Sequence, residues 1–212
     1  MRVRVRFAKT EAMRFTGHLD LFRTWERTIR RASLPLSYTL GFRAHPRMNL
    51  AAALPQGFTS GCELIDIWLE YDIELENIKS ALVQAAPPGI TILGLESVDP
   101  HAPSLQSTLE ISEYLIVLQE RIADLKLRID ALIACDALPR RWREKEYDLR
   151  ALIHKLEFTG ENESGCQKIL VQLTAKEGAT GRPEEVILAL GGEPLTSQVH
   201  RTRLVFSPDQ VI

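Results

Sequence analysis

The chain is short of nearly everything that would mark a membrane, secreted or metal-binding protein. No apolar run approaches the ~20 residues of a membrane-spanning helix. The N-terminus alternates arginine with valine and carries no apolar h-region, so a signal peptide is not expected. Cysteine is scarce. Cys62, Cys135 and Cys166 are odd in number and far apart, a spacing unlike a disulfide framework, a zinc site or an iron–sulfur ligand set. No metal and no cofactor are expected, and a reducing cytoplasm is the expected compartment. No motif identifies a reaction.

Cations are scarce over one long stretch. Residues 51–139 hold four (Lys79, Arg121, Lys126 and Arg128) against fourteen acids. The first 50 residues reverse this, with eleven Lys/Arg against Glu11, Asp20 and Glu26. The net charge of -2 over 212 residues therefore hides a strongly basic N-terminal end. Such an end suits a polyanion, and RNA is the expected one.

The length allows one large domain or two of about 100 residues each. Met1, Val3, Val5 and Phe7 alternate with Arg2, Arg4 and Arg6, a period-two strand with one apolar and one guanidinium face. A helix follows over roughly 18–32, with Thr16 or Gly17 as N-cap and Leu34-Pro35 as its stop. Residues 36–54 read as an extended pair of segments, 63–71 as a strand, 74–86 as a helix and 90–98 as a strand. This β-α-β-β-α-β order is the split β-α-β pattern of a ferredoxin-like domain. The order recurs, with a strand at 112–119, a helix at 121–135, an extended stretch at 146–159, a strand at 167–175, a helix from Pro183 and a strand at 198–206. The expected architecture is α+β: two tandem ferredoxin-like halves with antiparallel sheets, at 1–100 and 112–212, joined by a linker at 101–111.

Four constellations could carry chemistry. Arg2, Arg4 and Arg6 share one sheet face at a spacing of about 6.6 Å; guanidinium planes there could pair with phosphates and stack on bases, or pair with acids of the middle segment. Arg14-Phe15-Thr16-Gly17-His18 sits where strand gives way to helix. Backbone N–H groups there could hold a phosphate touched by Thr16 and His18, or the segment is simply a capped turn. Arg23, Arg27, Arg30 and Arg31 lie along one side of the helix that follows. Gly41-Phe42-Arg43-Ala44-His45-Pro46-Arg47 presents Arg43, His45 and Arg47, or is a structural loop with Phe42 tucked into the core. Arg140-Arg141-Trp142-Arg143 has the composition of a single-strand binder, in which Trp142 stacks while Arg141 and Arg143 track phosphates, or is a solvated loop.

The run Arg14-Phe15-Thr16-Gly17-His18-Leu19-Asp20-Leu21 is followed by Leu34-Pro35, Tyr38, Gly41-Phe42, His45-Pro46-Arg47, Leu54-Pro55 and Gly57. Further on come Ala102-Pro103-Ser104-Leu105, Lys145, Tyr147-Asp148-Leu149-Arg150 and His200-Arg201-Thr202. Together this series resembles a radical-SAM-linked family of bacterial proteins, also described as a domain of unknown function. Members are often fused to, or encoded beside, a radical-SAM enzyme, and commonly lie near ribonuclease G and ribosomal-protein genes. The resemblance implies RNA- or ribosome-linked work and a radical-SAM protein as a separate partner. One departure stands out: the family usually has Asn-Pro where this chain has Arg43-Ala44. The resemblance supplies no catalytic residues.

The leading expectation is an RNA- or ribonucleoprotein-binding module that serves a radical-SAM partner, with no membrane contact. The alternative is a metal-independent endoribonuclease, similar to CRISPR repeat-processing enzymes with tandem ferredoxin-like halves. His18 and His45 would then be its acid and base, and Arg14 or Arg47 would stabilise charge. A third possibility is a protein-interaction adaptor that docks a basic partner on the acidic segment around Asp66, Trp68 and Glu70.

Overall fold

Alternation along the first strand, β1 (Arg2–Lys9), sets the layers of the fold. In the computed structural model, which describes residues 1–142 and 144–207, the chain divides into two units, Met1–Leu109 and Glu110–Ile212. In the first, Val3, Val5 and Phe7 point into the core and are fully buried. Helix α1 (His18–Arg31) supplies Leu21, Trp25 and Ile29 to that core, at the spacing of one helical face. Phe7 and Trp25 meet edge to face at 4.8 Å, a geometry worth about 1 kcal/mol beyond their burial.

Strand β2 is Met48–Leu50, β3 is Phe58–Trp68, helix α2 is Leu75–Ala85 and β4 is Ile90–Val98. β1 pairs antiparallel with both β3 and β4, so Val5 lies between Ile65 and Leu95. β2 takes the other edge of β3, with Met48 opposite Ile67. The strand order in this unit is β4-β1-β3-β2. Ile78 and Leu82 of α2 join the core on the same side as α1.

The end of α1 aims the next segment. Ser33 adopts a left-handed backbone with φ of 54°. Its N–H donates to the Arg30 carbonyl at 3.0 Å, and the Leu34 N–H donates to the Ile29 carbonyl at 3.2 Å. This double closure satisfies the last carbonyls, and Pro35 prevents the helix from resuming. β3 begins at Phe58, five residues before the expected strand, because the turn through Gly57, at φ 85°, leaves the chain already extended.

The stretch 101–111, expected as a linker, is packed instead. It contains a short helix, α3 (Leu105–Thr108), with Leu105 fully buried. Ser104 caps it by accepting from the Ser107 N–H. Arg2 holds the approach to it, donating to the carbonyls of Ala102 and Pro103 at 2.6 and 2.9 Å.

The second unit runs β5 (Leu109–Leu118), α4 (Leu125–Ala134), β6 (Pro139–Trp142), β7 (Lys145–Asp148), β8 (Ile153–Glu161), β9 (Gln167–Lys176), β10 (Ala179–Thr180), α5 (Pro183–Ala189) and β11 (Gln198–Phe206). β9 pairs antiparallel with β5 on one edge and β8 on the other, and β11 takes the far edge of β5. Tyr114, Ile116, Ile129, Leu156, Ile169, Val171, Val186 and Ile187 are buried. α4 starts later than the expected 121, because Asp124 is left-handed at φ 55° and the helix propagates only beyond it. The chain is thus an α+β protein whose sheets are mostly antiparallel. Among the described residues, no helix is long and apolar enough to cross a membrane.

Candidate nucleic-acid interface

Nine of the eleven basic residues of the first 50 sort into three groups by what they touch, and Arg6 and Arg47 stand apart. The first group is committed to the fold. Arg2 and Arg4 are 2% and 4% exposed, and between them lies the fully buried carboxylate of Asp66 on β3. Arg2 donates to Asp66 Oδ2 from Nη2 at 2.6 Å, and Arg4 donates to Oδ1 from Nε at 2.9 Å. The register explains the encounter: Arg4 faces Asp66 directly across the β1–β3 ladder. A guanidinium in this position is closed to a phosphate. The expected RNA-binding face of Arg2, Arg4 and Arg6 is therefore corrected. Two of its three members are internal, and Arg6 alone is exposed, lying across Gly94 so that a Cβ there would come within 3.0 Å of it.

Lys9 and Arg14 also belong to the fold. Lys9 is fully buried and donates to the Phe58 carbonyl at 3.0 Å. Arg14 donates from Nε to the Gly57 carbonyl at 2.8 Å, and the Gly57 N–H donates back to the Arg14 carbonyl at 2.9 Å. The segment Arg14 to His18 is thereby pinned to the turn before β3. Gly17, not Thr16, is the N-cap of α1, and no side chain caps it.

The second group forms local ion pairs on the exposed face of α1. Arg23 meets Asp20 at 3.3 Å, and Arg30 meets Glu26 at 2.7 Å. Solvent-exposed pairs of this kind contribute little to stability, so they orient the side chains without immobilising them. Arg30 also donates to the Tyr38 hydroxyl at 3.1 Å. Tyr38 first, and then Glu26, raise the Arg30 pKa above the ordinary arginine value.

The third group is unengaged. Arg27, Arg31 and Arg43 are exposed, and no acid among the described residues pairs with them. Arg27 and Arg31 line a shallow cavity of about 480 Å³ together with Met13, Thr24, Arg30 and Pro87. Arg31 and Pro87 continue into a second depression toward the end of α2. Arg47 is exposed, and its guanidinium lies 5.3 Å from the Trp68 ring centre, over the same ring that Arg2 approaches at 4.9 Å.

Arg43 and Arg47 belong to a ribbon between α1 and β2. Its stem is built from backbone bonds: Ser37 N–H to Trp68 O, Arg47 N–H to Ser37 O and Trp68 N–H to Arg47 O, at 2.8 to 3.0 Å. Farther out, the Thr39 N–H donates to the His45 carbonyl, and the His45 N–H donates to Thr39 Oγ1, both at 2.9 Å. Between them Leu40, Gly41, Phe42, Arg43 and Ala44 form the apex, and Gly41 takes φ of 131°, open to glycine and rarely to other residues. Phe42 is not tucked into the core. It is fully exposed, and so is Leu40. Sequence reasoning missed these two because an apolar residue in a short loop usually anchors it. The available signal was a run of eleven residues, 37–47, containing no acid.

The endoribonuclease arrangement receives no geometric support. His18 opens α1, whereas His45 sits on the ribbon whose stem Arg30 grips in the last turn, about 18 Å along the helix axis from His18. The acidic docking patch is also corrected: Asp66 is buried between arginines, and Trp68 carries two guanidinium groups.

In the second unit, Arg140, Arg141 and Trp142 fall on β6, which pairs with β7 so that Arg141 faces Glu146. Arg141 is exposed, while Arg143 lies outside the described residues. Arg140 approaches Glu185 at 3.8 Å. Nearby, Tyr147 and Arg182 line a cavity of about 470 Å³. Burial, and then the charge of Glu185, push the Tyr147 hydroxyl up. Among the described residues, no group of three or more His, Cys, Asp or Glu converges as a metal site would require.

No curated protein matches the sequence. Among solved structures, a chain of a Cbf5-Nop10-Gar1 complex is similar at a TM-score of 0.50 and 13% identity, over 95% of this chain and 48% of that one. This chain therefore spans about half the length of that relative, and the likeness is one of fold. A candidate glycine cleavage system transcriptional repressor aligns over 97% of this chain and 95% of its own at a TM-score of 0.26 and 11% identity, and carries no argument. The model of one family matches residues 2–183, a span that takes in α1, the ribbon and every strand described above except β11, and on that match the chain belongs to DUF2344, a family of uncharacterized proteins conserved in bacteria.

Proposed function

We propose that this protein is an RNA- or ribonucleoprotein-binding module whose contact surface is the exposed face of α1 together with the ribbon at residues 37–47. The observation that carries this reading is the unpaired state of Arg27, Arg31 and Arg43, in a chain with more acids than bases. Exposed cations left without partners are costly neighbours for one another, and a phosphate backbone neutralises them while releasing its counterions. Arg23 and Arg30 extend the stripe, and their weak surface pairs can exchange for phosphate.

We read the two units as ferredoxin-like halves, which the strand orders β4-β1-β3-β2 and β11-β5-β9-β8 support. On this reading RNA meets the helical side of the first half, because the opposite face is occupied by the Arg2–Asp66–Arg4 cluster. The partner we propose, a radical-SAM protein acting on the bound RNA or ribonucleoprotein, rests on the sequence resemblance.

Filter binding of the full chain to a structured RNA transcript across a salt series tests the reading. With these five cations engaged, the slope of log affinity against log salt is about -4. A flat series would remove the proposal.

A further inference from the structure

The apex of the ribbon carries more than charge. Leu40 and Phe42 are fully exposed on either side of Gly41, held out by a stem of backbone hydrogen bonds and the Thr39–His45 closure. Single exposed apolar residues are ordinary, but two at the tip of a braced ribbon are a presented element. Their neighbours are cations: Arg43 on the apex itself and Arg47 on the stem, with Tyr38 held against Arg30 below. No acid interrupts residues 37–47.

A ligand that satisfies this tip must offer a flat apolar face and closely spaced negative charge. Continuous duplex RNA offers the charge alone, since its bases are stacked and its deep, narrow major groove admits no side chain. An unpaired nucleotide offers both, and aromatic rings among cations are the usual platform for it. An anionic lipid surface would also offer both, but two side chains bury little area in it, and the cations continue along α1 instead of gathering around the tip.

We propose that the apex takes an unpaired base, with Phe42 stacked on it and Arg43 and Arg47 on the flanking phosphates, so that the protein selects RNA with a single-stranded segment over continuous duplex. This rests on the RNA-binding reading of the same surface and adds the class of RNA. The test uses the full chain, a labelled single-stranded 12-nucleotide RNA pool, the corresponding duplexes, and vesicles of phosphatidylglycerol and phosphatidylcholine. Phe42→Ala should lose about fivefold or more in affinity for the single strand, with duplex binding and its salt slope unchanged, and Phe42→Trp should restore it. Equal losses on both RNAs, or no loss on either, would overturn the proposal while leaving RNA binding intact. Failure of wild type to bind either RNA would defeat the underlying reading. Vesicle binding that Phe42→Ala abolishes, without any strand preference, would reassign the tip to lipid.

Discussion

The Arg30 guanidinium donates to the Tyr38 hydroxyl at 3.1 Å, joining the last turn of α1 to the stem of the ribbon. Through that contact the basic stripe of the helix and the exposed apex become one surface. The turn at Ser33 makes the contact possible, because it sends the chain back past the helix end as soon as the helix stops.

Ser33 is an L-residue in a left-handed conformation, at the position where helices favour glycine. Ser33→Gly should stabilise the protein by about 1 kcal/mol, seen as a higher midpoint of thermal unfolding. An unchanged or lower midpoint would mean that the turn carries no such strain.

Asp66 is a buried anion held by two buried cations. Asp66→Asn removes the carboxylate that Arg2 and Arg4 share, leaving Arg4 only the half-exposed Glu96 at 3.8 Å, and should cost about 3–5 kcal/mol, measured by urea unfolding. Arg2→Ala and Arg4→Ala should likewise destabilise, so loss of RNA binding in those variants would report on folding and not on a contact. Wild-type stability in Asp66→Asn would contradict the buried cluster.

Burial raises the Glu184 pKa, and no hydrogen-bond partner meets its buried Oε2. A carboxyl with a raised folded-state pKa binds its proton more tightly when folded, so stability falls as pH rises through the carboxylate range toward neutrality. Glu184→Gln should therefore unfold at a higher temperature than wild type at pH 7, with the gap closing toward pH 4. Glu113 runs the other way. Burial would raise it, but hydrogen bonds from Gln172 and Thr202 and the charges of Arg203 and Lys155 together outweigh that and hold it below the usual range. Its contribution is present at neutral pH and fades on acidification, so Glu113→Gln should cost most at pH 7. A pH-independent offset in either variant would contradict the assignment.

A binding module should leave RNA intact. Incubation with a labelled RNA in EDTA should yield no 2′,3′-cyclic phosphate ends. Such ends, abolished by His18→Ala, would revive the nuclease alternative.

The legible parts of this fold are those fixed by local periodicity. Trp25 and Ile29 against Arg23, Arg27, Arg30 and Arg31 mark the two faces of α1 from the sequence alone and the structure keeps them, whereas Leu19, expected on the apolar side with Phe22, is exposed, and Leu21 takes the buried position instead. Arg2, Arg4 and Arg6 show the limit of such reasoning. Their pattern is identical along the strand, yet two are buried and one is not. The difference lies in Asp66, 62 residues beyond Arg4, and in the carbonyls of Ala102 and Pro103. Strand register supplies that information, and periodicity does not contain it. Phe42 failed for a related reason: exposure at an apex follows from how the stem is braced by Trp68 and His45, partners that its own neighbourhood does not announce.

One titration decides whether the stripe on α1 is an RNA surface. Fluorescence polarisation of a labelled mixed-sequence RNA pool would compare wild type with Arg27→Glu/Arg31→Glu, at about 50 and 200 mM salt, with thermal unfolding checked to match. Wild type should bind at low salt and weaken steeply at high salt, and the double variant should lose about tenfold or more and show a shallower salt dependence. No binding by wild type at low salt, or equal affinity of the charge-reversed variant, would contradict the account.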